Sequence, residues 1–260
     1  MQNLLNIPNV IPVSLGYTCH PSMFITALGF QDKKFYERYV FDWVGSPMWS
    51  ICKLIEEDFS DLNTKELFVY KNHFTGKEES YITNTKYNII FAHDYHNTMT
   101  DVHHKEIKEK YDRRISRFKN LLSSGKPILF IRAERDRPRL INFPEYGITE
   151  PEKFYVEKFS KMMRDRGVPF KILYFTSSYP RGWDPVNKIC YVQFKKKDPD
   201  ISVTGDQIME ICKANLGFIQ SALRAPSSAE QERERERERE PATEHPVSPS
   251  QLVSPPTSPS

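Results

Sequence analysis

The sequence predicts an α/β fold in which a mainly parallel sheet is flanked by helices on both faces, a three-layer, Rossmann-like arrangement. In the second half of the chain, short apolar runs alternate with segments whose apolar residues recur at the helical period. Such alternation is typical of parallel sheets, because each helical connection crosses one face of the sheet. The length of 260 residues is enough for one sizeable α/β domain or two small ones.

The predicted strands are short apolar runs bounded by Gly, Pro or polar residues. The first covers Val10 to Leu15 and ends at Gly16. The segment "KPILFIRAE" has the clearest strand pattern in the chain. Further strands are predicted at 89–91, 170–177 and 188–194, with a short β-excursion at 67–70.

The clearest predicted helix covers about His103 to Ser123 and is ended by Gly125. Its apolar residues step by 4, 4, 3 and 4 positions, which is the helical period. These residues are Ile107, Tyr111, Ile115, Phe118 and Leu122. Other helices are predicted at about 21–28, from Ser46-Pro47 onward, at 151–166 and at 204–225.

The composition changes completely at Pro226. The segment "QERERERERE" alternates charges, and the segment that follows is rich in Pro and Ser. Neither can bury enough apolar surface to fold alone. The sequence therefore predicts a single α/β domain at 5–225 and a disordered tail at 226–260, and the tail is a candidate contact for a protein partner.

Composition also bears on which class of ligand the protein binds and on its location in the cell. A net charge of +3 with mixed signs gives little support for nucleic acid as a ligand. The N-terminus lacks the pattern of a signal peptide, and no stretch approaches the roughly 18 apolar residues of a membrane span. The four cysteines form no CxxC pair, which favours reduced thiols in a cytoplasmic protein.

Cys19 is the first candidate for chemistry, because it lies between a predicted strand and a predicted helix. At a helix N-terminus, the helix dipole and free N–H groups would stabilise a thiolate and lower its pKa. The same N–H groups could hold an oxyanion. The position of Cys19 alone is equally consistent with a second possibility, a small thiol buried behind a strand.

His93 is the candidate base for this thiol. It follows the predicted strand at 89–91, and Cys19 also follows a strand end. If the two strands are parallel neighbours, both side chains lie at the carboxyl rim of one sheet, where ligands gather. A Cys–His pair then supplies nucleophile and base. A surface histidine bonded to a nearby carboxylate is the alternative.

Two aspartates are candidates for orienting the imidazole. Asp42 lies between large aromatic residues in "FDW", and Asp94 adjoins His93. The more ordinary role for Asp42 is to accept hydrogen bonds from backbone donors in a turn. Asp94 is the weaker candidate, since neighbouring side chains often diverge.

Substrate contacts are predicted at the same rim. Arg132 ends the strongest strand and offers a fixed bidentate donor for a carboxylate or phosphate. The alternative is a structural pair of Arg132 with Glu134 or Asp42. With Glu134 and Trp43, Arg132 completes the candidate substrate-binding set.

No metal and no cofactor are expected. The histidines at 93, 96, 103 and 104 fit no standard zinc spacing. The sequence has no GxGxxG, no P-loop and no GxSxG, so nucleotide cofactors and a serine-hydrolase elbow are unsupported.

The motifs "VSLGYTC", "FDWVGSP", "FAHDY" and "PILFIR", in this order, resemble a family described as "putative papain-like cysteine peptidases". The similarity covers about 10–176. The resemblance implies Cys19 as nucleophile and His93 as base, with Asp42 or Asp94 assisting. It also implies a papain-like α+β fold as the alternative to the α/β prediction.

The leading functional hypothesis is therefore a cysteine hydrolase, nominally a thiol peptidase, that uses a Cys–His pair. Its substrate would be a peptide or an anionic small molecule. Two alternatives stay open: a non-catalytic module that binds a glycan or an anion, and a transferase on the same scaffold.

Overall fold

A computed structural model of the chain describes residues 10–16, 19–30, 37–70, 82–91, 94, 100–134, 146–195 and 204–226. The strands are β1 (Ile11–Ser14), β2 (Phe68–Tyr70), β3 (Ile82–Asn84), β4 (Ile89–Phe91), β5 (Ile128–Ala133), β6 (Phe170–Thr176), β7 (Gly182–Asp184) and β8 (Ile189–Gln193). The helices are α1 (His20–Ala27), α2 (Met48–Glu56), α3 (Asp101–Leu122), α4 (Glu152–Asp165) and α5 (Gly205–Arg224). A short 3₁₀ helix covers Lys65–Leu67.

The longer elements lie where the sequence predicts them. Strand β5 is buried along its whole length, and the apolar positions of α3 turn inward as their spacing indicates. Strands β3 and β7 were not predicted, because neither is an apolar run: their sequences are "ITN" and "GWD".

The larger sheet has five strands in the order β1-β5-β6-β8-β7. Strand β1 pairs in parallel with β5, β5 with β6, and β6 with β8, whereas β7 pairs antiparallel with β8. The predicted α/β fold with a mainly parallel sheet is therefore confirmed, and the papain-like α+β alternative does not describe it.

Helices cover both faces of this sheet and give the predicted three layers. Side chains alternate along each strand, so that Phe130 of β5 joins one apolar cluster while Leu129 and Ile131 join another. Helices α2, α3 and α4 contribute to the first cluster, and α1 and α5 to the second.

A second, three-stranded antiparallel sheet has the order β2-β3-β4. This arrangement corrects the premise on which His93 was placed beside Cys19. Strand β4 is not a parallel neighbour of β1, because the two strands belong to different sheets. Proximity of their ends has to come from other contacts.

The chain divides into a unit of residues Met1–Ala225 and a unit of residues Pro226–Ser260. The predicted tail lies outside the described residues apart from Pro226, and the domain bounds 5–225 stay a prediction. Within the described ranges, no helix combines the length and the apolar character needed to cross a membrane.

Candidate active site

The turn that leaves β1 is packed directly against the "FDWVGSP" segment. Gly16 has a φ of +60°, and a Cβ built there would lie 1.9 Å from Ser46 Oγ and 3.3 Å from the carbonyl oxygen of Phe41. Glycine is therefore required at this position both by backbone conformation and by space. The backbone N–H of Gly16 also donates to Ser14 Oγ at 3.1 Å.

Cys19, three residues after Gly16, is the N-cap residue of α1. Its carbonyl oxygen accepts the first helical hydrogen bond, from Met23 N at 3.0 Å. Pro21 lies in the first helical turn, where its fixed φ suits a helix start. Cys19 is half-buried, whereas the other three thiols, those of Cys52, Cys190 and Cys212, are fully buried.

The electrostatic surroundings of Cys19 differ from the expectation. Burial raises the pKa of its thiol, and a hydrogen bond with its own backbone opposes this effect only in part. Among the described groups, loss of hydration therefore has a larger effect on this pKa than the lowering expected from the helix N-terminus. A reactive thiolate at Cys19 would need a cationic partner.

Asp42 ties the turn at 40–43 to the first turn of α1. Its carboxylate is fully buried and accepts hydrogen bonds from Tyr39 N at 2.7 Å and from Ser22 Oγ at 3.1 Å. The turn role considered from the sequence is thus present. Because Ser22 lies one turn after Cys19, Asp42 also helps to fix the start of the helix that carries the thiol.

Trp43, predicted to contact substrate, is half-buried and has a φ of +64°. Residues with side chains seldom adopt this left-handed conformation, and it costs free energy unless the surroundings impose it. The described contacts of Trp43 do not identify a ligand, so its role in substrate binding stays a prediction.

Asp94 points toward α3. Its carboxylate accepts a hydrogen bond from Tyr111 Oη at 2.6 Å and forms an ion pair with Lys110. The carboxylate is 7% exposed. These contacts anchor the segment immediately after His93, which itself lies outside the described residues.

Two sets of contacts bring the end of β4 close to the turn at 40–43. Gly45 and Ile90 exchange backbone hydrogen bonds of 2.8 and 2.9 Å. Arg114 donates to the carbonyl oxygen of Asp42 at 3.4 Å, and its guanidinium lies 5.1 Å from the ring centroid of Tyr111. Tyr111 in turn binds Asp94, so α3 connects the two candidate aspartates.

Arg132 is fully buried, and its described contacts are structural. Nε donates to Glu152 Oε1 at 2.7 Å, and Nη1 donates to the carbonyl oxygens of Leu15 at 2.6 Å and Ser46 at 2.8 Å. A structural pair of Arg132 was predicted with Glu134 or Asp42, and the described ion pair is with Glu152. The role of Arg132 as a ligand for substrate stays a prediction without a described contact in its favour.

Glu134 organises the loop after β6. Its Oε2 accepts hydrogen bonds from Thr176 Oγ1 at 2.6 Å, Ser177 N at 2.8 Å and Ser178 N at 3.1 Å. The side chain is buried, and these donors satisfy the carboxylate within the protein. Like Arg132, it is held at the carboxyl rim of the sheet by protein groups.

Sequence reasoning missed Ser22, Arg114 and Glu152. Arg114 left a signal, because it falls on the apolar stripe of α3, three residues after Tyr111 and four before Phe118. Glu152 follows a proline at a helix start, which predicts its place in the helix but not the ion pair it forms with the sheet. Ser22 pairs with a residue 20 positions away and left no local signal.

Within the ranges that the structure describes, no three His, Cys, Asp or Glu side chains come together as metal ligands.

Comparison with known proteins identifies the family. The profile of the family described as "Putative papain-like cysteine peptidase" matches residues 11–175. The chain is also similar to "Uncharacterized protein R408" of Acanthamoeba polyphaga mimivirus, with 33% identity over 139 residues, which is 47% of this chain and 60% of that protein. The chain thus spans about three fifths of the length of that curated relative. No solved structure gives a significant match. Since the profile covers more than half of the chain, the protein belongs to this family, described as "Putative papain-like cysteine peptidase".

Proposed function

We propose that the protein is a cysteine-nucleophile hydrolase, and specifically a thiol peptidase, with Cys19 as nucleophile and His93 as general base. One observation carries the proposal. Of the four thiols, Cys19 alone has access to solvent, and it caps the N-terminus of a helix at the carboxyl end of a parallel strand. Nucleophiles and ligands of open α/β sheets gather at this edge.

The reaction would have two stages. Cys19 Sγ attacks the carbonyl carbon of the peptide bond, an S–C bond forms, and His93 takes the thiol proton. When the C–N bond breaks, His93 gives that proton to the departing nitrogen. Water then attacks the thioester, His93 takes its proton, and the thiolate leaves as the carboxylic acid forms.

The surroundings of Cys19 support the need for an imidazole partner. Because burial raises the pKa of the thiol, the isolated side chain would be mostly protonated at neutral pH. A nearby imidazolium would reverse this effect by stabilising the thiolate as an ion pair. His93 is the candidate because it follows β4, whose residue Ile90 is bonded to Gly45 next to the Gly16–Ser46 contact.

Asp42 and Asp94 are both candidates for holding His93 in place. Asp42 accepts hydrogen bonds from Tyr39 and Ser22, which belong to the turn and to α1. The contacts of Asp94 go to α3 and anchor the backbone on the far side of His93. We therefore assign Asp94 a positioning role that acts through the chain and Asp42 a positioning role for α1.

The rate of alkylation of Cys19 by iodoacetamide, measured against pH, tests the proposed pair. The wild-type protein is expected to show a thiol pKa below the value of about 8.5 for a free cysteine. In His93→Ala only the effect of burial remains, so the pKa should rise above that value. His103→Ala, a change in the first turn of α3, is the matched control and should leave the profile unchanged.

Mass spectrometry of the alkylated peptides assigns the reaction to Cys19, since the three buried thiols should react slowly. Burial raises the pKa of each of them to about 12. A slow reaction at Cys19 with the same pH profile in wild type and His93→Ala would refute the pair. Peptidase activity itself has a separate test. Cleavage of a peptide mixture by the wild type and not by Cys19→Ala would establish it.

A further inference from the structure

Three buried polar groups without hydrogen-bond partners lie within one turn at the start of α2. They are Ser46 Oγ, Trp49 Nε1 and Ser50 Oγ. Ser46 and Ser50 are fully buried, and Trp49 is 6% exposed. A buried donor without a partner is costly, so such groups are rare unless they serve a bound molecule or an internal water.

The backbone at this point offers further donors. The N-cap residue of α2 is Pro47, which makes no side-chain cap. The first helical bond runs from Ile51 N to the carbonyl oxygen of Pro47 at 3.2 Å. The N–H groups of the preceding residues 48–50 therefore have no partner within the helix, and they lie at the positive end of its dipole.

The side-chain donors are directed toward the same end. Side chains of a helix lean toward its N-terminus, so the hydroxyl of Ser50, in the first turn, is directed back toward the start of α2, which Ser46 precedes. The Nη1 group of the buried Arg132 reaches the carbonyl oxygen of Ser46 at 2.8 Å. Hydroxyl and backbone donors thus lie at the start of α2, where Arg132, the partner of Glu152, holds the carbonyl oxygen of Ser46.

We propose that the first turn of α2 is a binding site for a small oxyanion, such as the carboxylate of a substrate or a phosphate group. Donors without acceptors and the positive end of a helix favour an anion with several acceptor oxygens. Because Ser46 Oγ packs against Gly16, three residues before Cys19, a bound anion would lie beside the turn that carries the proposed nucleophile.

Calorimetric titration of the full chain with sodium phosphate and, separately, with sodium acetate tests this site. Sodium chloride keeps the ionic strength constant. We expect one of the two anions to bind, which also identifies phosphate or carboxylate as the natural class. In Ser50→Ala and in Ser46→Ala, the affinity should fall about tenfold, since each loses a hydrogen bond to a charged group.

Ser160→Ala is the matched control. Ser160 is also a fully buried helical serine, but its hydroxyl donates to the carbonyl oxygen of Asn187. This change should lower stability and leave the anion affinity unchanged. Ser50→Ala should lower the affinity without lowering stability, because it removes a hydroxyl that has no partner within the protein.

Failure of this site and failure of the proposed peptidase can be told apart. Anion binding should persist in Cys19→Ala, since Cys19 contributes none of the donors. If neither anion binds, or if Ser46→Ala and Ser50→Ala bind as tightly as the wild type, the site is overturned, whatever the reactivity of Cys19.

Discussion

At the scale of single residues, the backbone conformation and close packing of Gly16 support the most specific prediction. Replacement by alanine would place a Cβ at 1.9 Å from Ser46 Oγ and would force a side chain into a φ of +60°. We expect a loss of roughly 3 kcal/mol in the free energy of unfolding, the sum of left-handed strain and overpacking. Urea denaturation of Gly16→Ala measures it.

Gly125→Ala separates the two contributions. Gly125 has a φ of +68°, but nothing lies within 4 Å of the Cβ that alanine would add. This variant should lose only the conformational part, about 1 kcal/mol. A double variant, Gly16→Ala with Ser46→Ala, should recover part of the loss. Equal losses for Gly16→Ala and Gly125→Ala would show that the close packing is unimportant.

At the scale of elements, the sequence predicts local structure better than pairing. Strand β4 was predicted correctly from its apolar residues, yet its partner is β3 and not a strand of the larger sheet. Apolar residues indicate that a strand is buried, but they do not say which strand it pairs with.

The turn between β3 and β4 depends on Asn84, whose side-chain oxygen accepts hydrogen bonds from Lys86 N and Tyr87 N.

The ion pair of Arg132 with Glu152 connects β5 to α4, and the remaining bonds of Arg132 hold the end of β1 and the start of α2. Arg132→Met should lower the free energy of unfolding by about 3–5 kcal/mol, because it leaves the carboxylate of Glu152 buried without its cation. Thermal and urea unfolding measure the loss. Arg132→Met with Glu152→Met should be more stable than Arg132→Met alone.

The exposed pair of Lys161 with Asp165 on α4 is the control for this prediction. Both side chains are more than half exposed. Lys161→Met should therefore change stability by no more than about 0.5 kcal/mol. If Arg132→Met were as mild as Lys161→Met, the buried network would not be what joins these elements.

At the scale of the whole molecule, residues from separate sequence motifs contact one another in the fold. Gly16 follows β1, Ser46 precedes α2 and Arg132 lies near the end of β5, so they are far apart in sequence. In the structure Ser46 contacts Gly16, and Arg132 donates to the carbonyls of Leu15 and Ser46. The sequence could predict each motif and its local element. It could not predict that they meet, because tertiary contacts over 86 and 117 positions leave no periodic signal.

The candidate site shows the same limit. Cys19 was chosen from its place after a strand; the structure shows it half-buried, and its role as nucleophile stays a prediction. The effect of burial, which raises the pKa of its thiol, could not be predicted because burial depends on elements that pack around Cys19, which no local pattern reveals. His93 stays a prediction, supported by the contacts of Asp94 and Ile90 on either side of it.

The last carbonyl groups of α5 accept hydrogen bonds from a lysine of β6. Lys171 of β6 donates to the carbonyl oxygen of Ala225 at 2.7 Å and also to that of Leu223. Its ammonium lies 5.3 Å from the ring centroid of Trp183. A cation at this position satisfies the last carbonyls of the helix and complements its dipole. The helix end is thus completed by side chains that precede it in the sequence.

A chain that ends at Pro226 should therefore fold as stably as the full chain. Both apolar clusters are built from side chains within the described ranges up to Leu223, and the cap of α5 is internal. We expect a melting temperature within about 2 °C of the full-length value, since less than roughly 1 kcal/mol is at stake in a unit of this size. The pH profile of Cys19 alkylation should also be the same. A large drop in melting temperature, or a changed alkylation profile, would show that residues 227–260 contribute to the folded unit or to its site.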